Sequence, residues 1–77
     1  MNEQVLTRVR EIASDILQSE VSSDSSPDTV PAWDSVQHLN LMLAVEEEFH
    51  FQFLPEEMDQ ARSISAIAQL VSARSGA

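Results

Sequence analysis

The chain has no cysteine and no lysine. Without cysteine there is no disulfide framework, no thiolate nucleophile and no Cys-based metal site, so the fold must rest on packing alone. Without lysine, only four arginines stand against thirteen acidic residues, and the formal charge is -9. Such a surface repels nucleic-acid phosphate and anionic membranes, and it calls for partners that present basic patches. Long apolar runs are also missing. No segment approaches the roughly 20 residues of a membrane span, and Met1-Asn2-Glu3-Gln4 lacks the basic stretch and apolar run of a signal peptide. These absences together predict a cytoplasmic protein with no membrane insertion and no nucleic-acid partner. Length is scarce as well: 77 residues make one domain whose core only marginally offsets chain entropy. Once that core is filled, few residues remain to wall a substrate cavity. The expected class is a monomeric carrier, binding or interaction module, not an enzyme.

What the chain does have is helical periodicity. From Asn2 to about Gln18 the apolar residues Val5, Leu6, Val9, Ile12, Ala13, Ile16 and Leu17 recur at three- and four-residue steps, the stripe of an amphipathic helix with Asn2 as its N-cap. Ser19 to Pro31 is rich in Ser and Asp and holds Pro27 and Pro31, which predicts a long surface loop. Asp34, with Gln37 three residues on, fits the cap of a second helix over about Ser35 to His50. Phe51-Gln52-Phe53 alternates like an extended piece. Pro55-Glu56-Glu57 then opens a short third helix to about Gln60, since Pro and acids favour a first turn. Ser63 caps a last helix in which Ile64, Ile67, Leu70 and Val71 form one stripe, ending before Ser75-Gly76. The expected architecture is all-α, a single four-helix bundle over residues 1–77 with a long first loop and a short third helix.

The second helix is apolar on two sides. At about 100° per residue, His38, Leu41, Met42, Val45 and Phe49 share one side, while Val36, Leu39 and Leu43 share the other, with Glu46 and Glu47 on or beside it. The longer side, which carries the aromatic, is the one to bury. The other is then left as an apolar strip bordered by acids, the arrangement of a docking surface for partners with apolar hollows ringed by Arg or Lys.

Asp34-Ser35-Val36, followed by Leu39, Leu43, Glu46-Glu47-Glu48 and Phe49, resembles the Asp-Ser-Leu signature and recognition helix of acyl carrier proteins. The first helix, the long loop, Glu56-Glu57 and the last helix also fall where that family has its elements, so the resemblance spans essentially the whole chain. It implies that a phosphopantetheinyl transferase esterifies Ser35, preceded by Asp34, with a 4'-phosphopantetheine arm drawn from coenzyme A. The arm's thiol would carry acyl groups as thioesters between an acyl-activating ligase or synthase and an acyltransferase. The missing cysteine agrees with a thiol supplied by the cofactor. A helix N-terminus also favours the phosphate attached there. The chain departs from the family at Ala32, where Gly is common, at Trp33, where a small residue is usual, and at Val36, where Leu or Met is usual. Trp-Asp-Ser is similar to free-standing carriers outside housekeeping fatty acid synthesis and to carrier domains of peptide and polyketide assembly, so the pathway stays open. Trp33 is a candidate docking or arm-contacting residue beside Val36, Leu39, Leu43, Glu46 and Glu47; the other reading pins it on its own domain. The resemblance further implies that short acyl chains tuck beside residues such as Met42, Phe53, Met58 and Ile64.

Other chemistries fare worse. His38 and Asp34 near Ser35 suggest a hydrolytic triad, but closeness in sequence is not the required geometry, and the angular count turns His38 toward the core. Glu46, Glu47, Glu48 and Asp59 offer hard oxygen ligands for weak divalent-cation association, but there is no dedicated loop and the three consecutive acids diverge around a helix, so a solvated acidic face is the expected reading. The open alternatives are an acidic interaction domain that is never modified, an aminoacyl or peptidyl carrier, and a domain of a larger synthase. The start at Met1 and an end just past the fourth helix favour a free-standing chain.

Overall fold

A computed structural model describes residues 3–75. Four helices follow in order, α1 (Glu3–Leu17), α2 (Ser35–Phe49), α3 (Pro55–Gln60) and α4 (Ile64–Ser75), and there is no strand among the described residues. Asn2, the expected cap of α1, lies outside them.

Helix α1 forms because its apolar residues fall on one stripe. Val5, Val9, Ile12, Ala13 and Leu17 are buried on it, and α1 packs that face against both α2 and α4. It stops one residue short of the expected Gln18, because Gln18 adopts a left-handed φ of 53°. The turn lets the Ser19 N–H reach the Ser14 carbonyl at 3.3 Å, while Gln18 Nε2 donates to the Asp15 carbonyl at 2.6 Å. Carbonyls orphaned at the helix end are thereby satisfied.

Helix α2 ends in the same manner. His50 sits at φ 59° and its N–H donates to the Glu46 carbonyl, which also accepts from the Phe51 N–H at 3.2 Å. The helix therefore closes at Phe49 and not at His50. At its other end the Gln37 N–H donates to Asp34 Oδ1 at 2.9 Å. The reciprocal half of a capping box is not made: the Asp34 N–H donates to Ala32 O, and the Gln37 side-chain oxygen accepts from Asn40 Nδ2.

The Ser-rich loop is more built than its composition predicts. Hydroxyls of Ser25 and Thr29 accept the N–H groups of Ser22 and Ser26 at 2.9 and 3.0 Å, which folds the segment into turns. The carbonyls of Ser25 and Ser23 accept the N–H groups of Ile64 and Ser65, each at 3.1 Å, and Ser63 Oγ accepts the Ala66 N–H at 3.0 Å. Orphan donors at the start of α4 are thus met by a loop some forty residues away in sequence. The end of the loop also reaches the interior, where Val30 and Trp33 are buried.

The expected α4 stripe holds: Ile64, Ile67 and Val71 are fully buried together with Ala68, and Leu70 packs against them. Helix α4 runs through Ser75, a residue beyond the expected end. Helix α3 occupies the expected span and buries none of its residues. Leu54 precedes it and donates its N–H to Glu57 Oε1 at 2.8 Å. Between α2 and α3, Phe51 and Phe53 meet edge to face at 4.7 Å without a strand ladder.

Candidate functional site

Ser35 is the first residue of α2 and is exposed, as is Asp34 before it. Asp34 uses one carboxylate oxygen to cap the helix, and this fixes where the chain turns and where Ser35 begins. Beside them lies a cleft of about 380 Å³, to which Trp33, His38, Pro27, Asp59 and Arg62 also contribute.

His38 and Trp33 set one wall of this cleft. The Trp33 indole Nε1–H donates to His38 Nδ1 at 2.9 Å. An indole nitrogen only donates, so Nδ1 must be the acceptor, and the proton then belongs to Nε2, which donates to the Met58 carbonyl at 2.8 Å. The two rings also stack with centroids 5.9 Å apart. This chain ties the loop, α2 and α3 together next to Ser35. His38 is therefore a hydrogen-bonding residue of the scaffold, as its angular position implied, and both its nitrogens are engaged by structural partners.

Trp33 requires a correction. Expected as a docking residue or as one pinned on its own domain, it is 2% exposed, so its ring is a core element at the wall of the cleft and not part of a docking surface. The last turn of the loop, closed by the Trp33 N–H on the Val30 carbonyl at 3.0 Å, carries the residue to the core, where the indole is held by His38.

The two-sided α2 falls as its spacing requires. Leu41, Met42 and Val45 are fully buried, whereas Val36, Leu39 and Leu43 are 68%, 51% and 50% exposed. An uncovered apolar strip thus starts at the residue after Ser35 and runs two turns along the helix. Leu54 adds a fourth exposed large apolar side chain.

The three consecutive glutamates have separate tasks. Glu46, expected on the docking border, is part-buried, and its Oε2 accepts the Phe53 backbone N–H at 2.6 Å. This carboxylate is drawn in by an otherwise unpaired donor of the linker, so Glu46 is primarily a structural residue. Glu48 reaches Arg8 of α1 at 3.0 Å, and that hydrogen bond holds its carboxyl below the usual range. Glu47 is exposed and makes no ion pair among the described residues. Of the two acids expected to face a partner, Glu47 is the one that is free to do so.

Arg62 was not singled out from the sequence, and Asp59 was considered there only as a weak cation ligand, yet both line the cleft at Ser35. Neither carries a local signal for this cleft: Asp59 stands in α3, which His38 ties to α2 through the Met58 carbonyl, and Arg62 lies between α3 and α4. Met42, Phe53 and Ile64, which the family resemblance implied as an acyl lining, belong to the close-packed core, and Met58 packs on its margin. No group of three or more His, Cys, Asp or Glu among the described residues is arranged to hold a metal ion. No helix among them is long and apolar enough to cross a membrane. Scanned against models of known protein families the chain matches none, and a search of curated proteins returns no match, so its reading rests on the residues and geometry above.

Proposed function

We propose that the chain is a carrier of acyl-carrier type, in which Ser35 bears a 4'-phosphopantetheine arm. The observation that carries this reading is the exposed Ser35 at the head of α2, continuous with the uncovered strip of Val36, Leu39 and Leu43. A transferase needs a hydroxyl it can approach without unfolding the helix, and a surface on which to seat itself. Both lie on one face here, while the opposite face of the same helix is sealed in the core.

The residues fit the arm. The positive end of the α2 dipole favours a phosphate attached at Ser35. The neighbouring cleft gives the pantetheine portion a place to lie, with Pro27 and the edge of Trp33 as apolar contacts and Arg62 as a cation. When bound, the arm supplies a thiol that forms thioesters, which the cysteine-free chain does not have. The chain's own part is to present Ser35, to hold Asp34 and His38 in fixed positions, and to display the docking strip. It is a substrate shuttle on which a phosphopantetheinyl transferase, an acyl-activating ligase or synthase and an acyltransferase act. The all-helical order with a long first loop and a short α3 supports the acyl-carrier arrangement of the bundle.

The test is the intact mass after incubation with coenzyme A and a broad-specificity phosphopantetheinyl transferase, with Ser35→Ala as control. A gain of one phosphopantetheine, absent in the control, is expected. A folded sample with no gain under several transferases would instead leave the α2 strip as the surface of an unmodified interaction domain.

A further inference from the structure

A second surface lies on the other flank of Glu47, between α1 and α2. It is a groove of about 540 Å³. Ile16 of α1 and Ala44 of α2 form its apolar floor, both partly buried and packed against the core. Glu11 and Asp15 line it from α1 and Glu47 and Glu48 from α2, and Arg8 and His50 complete the lining. Arg8 is already committed, to Glu48 at 3.0 Å and Glu11 at 3.7 Å, which leaves Asp15 and Glu47 unpaired among the described residues.

We infer that this groove docks a basic amphipathic helix of a partner protein, which seats an apolar side chain on Ile16 and Ala44 and sets Lys or Arg against the two acidic rims. Glu11 and Asp15 are four residues apart and so stand one turn apart on α1. Cations at the same spacing on an incoming helix lie one turn apart as well, so a helix laid along α1 meets both at once. An anionic ligand is disfavoured by four carboxylates against one arginine and His50. A nonpolar small molecule is disfavoured too, because the apolar floor is narrow and its rim is charged on both sides. Glu47 borders both this groove and the Val36, Leu39 and Leu43 strip, so a partner can span the two. The inference does not use Ser35 or its modification, and its test is made on the unmodified chain, so its failure and that of the carrier reading are distinguishable.

The experiment is an amide-shift titration of the labelled chain with a synthetic helical peptide carrying Leu on one face and Lys at four-residue spacing beside it. The largest shifts are expected at Glu11, Asp15, Ile16 and Ala44. Asp15→Lys, at an exposed rim position, and Ala44→Gln, which fills the floor, should each weaken binding about tenfold, and added salt should weaken it further. Asp28→Lys, an equal charge change in the loop, should stay within twofold of the parent. Shifts confined to the Val36, Leu39 and Leu43 strip would overturn the proposal. So would no binding, or equal effects of Asp15→Lys and Asp28→Lys.

Discussion

His38 stands between a buried indole donor and a backbone carbonyl, so its imidazole decides whether two polar groups in the interior are satisfied. Replacing it with Leu keeps the volume but leaves the Trp33 Nε1–H without a partner. A buried unsatisfied donor costs about 1–3 kcal/mol, so His38→Leu should lower the urea midpoint accordingly, with Trp33 fluorescence as the probe. An unchanged midpoint would show that the pair is not structural. Glu46 offers a sharper comparison, because only one oxygen holds the Phe53 N–H. Glu46→Gln retains an acceptor oxygen and should unfold close to the parent, whereas Glu46→Ala should lose about 1 kcal/mol. If the two variants behave alike, the carboxylate does not secure the linker. The inward turn of His38 was visible in its angular position, but the role of Glu46 was not: in the sequence it reads with Glu47 as an acid bordering the docking strip, and the Phe53 amide that recruits it is brought there by the turn at His50.

At the level of elements, helix existence and extent were legible because periodicity and caps act within a few residues. The ends at Gln18 and His50 were less so. Left-handed backbone usually signals itself through Gly, and the chain has only Gly76. A side chain at such a position is strained relative to Gly, by about 1 kcal/mol or more. His50→Gly is therefore expected to raise stability by roughly 0.5–1 kcal/mol in thermal or chemical unfolding. A fall would mean that His50 makes contacts worth more than the strain. Helix α3, with no buried residue, depends on its ends. The Leu54 N–H, and after it Arg74, hold the Glu57 carboxyl below the usual range, and Arg74 also donates to the Gln52 carbonyl at 3.1 Å. A depressed carboxylate contributes stability that is present above the ordinary Glu value of about 4.3. That contribution is lost as pH falls through the lower folded value. The parent should accordingly be more stable than Glu57→Gln at neutral pH, and the gap should narrow as pH drops below about 4. A gap that is flat across pH 3 to 7 would contradict the assignment.

For the whole molecule, the governing fact is the partition of α2 between core and surface. Because Glu46 and Glu48 are tied to the fold, Glu47 is the acid on that helix available for long-range attraction. On the carrier function proposed above, Glu47→Lys should slow transfer from the phosphopantetheinylated chain to a partner enzyme severalfold at low salt, with the thermal midpoint unchanged within about a degree or two, as expected of a rim charge that acts on association. Equal rates for parent and variant would remove Glu47 from the docking surface. The same change should also weaken the basic peptide in the α1–α2 groove, since Glu47 borders both surfaces.

The sequence by itself determined the four helices, the buried stripe of each long one, the exposure of Val36, Leu39 and Leu43, and the position of Ser35 behind an Asp34 cap. All of these depend on angular spacing or on hydrogen bonds spanning three or four residues, which linear order encodes directly. Tertiary structure alone decided that Trp33 turns inward to His38, that the loop carbonyls of Ser23 and Ser25 cap α4, that Glu46, Glu47 and Glu48 separate into three roles, and that Arg62 joins the cleft at Ser35. Each of these is a choice settled by burial or by polar partners beyond the next helical turn, some close in sequence, as Trp33 and His38 are, and others some forty residues away. Burial and hydrogen-bond demand set that choice only after the helices have packed.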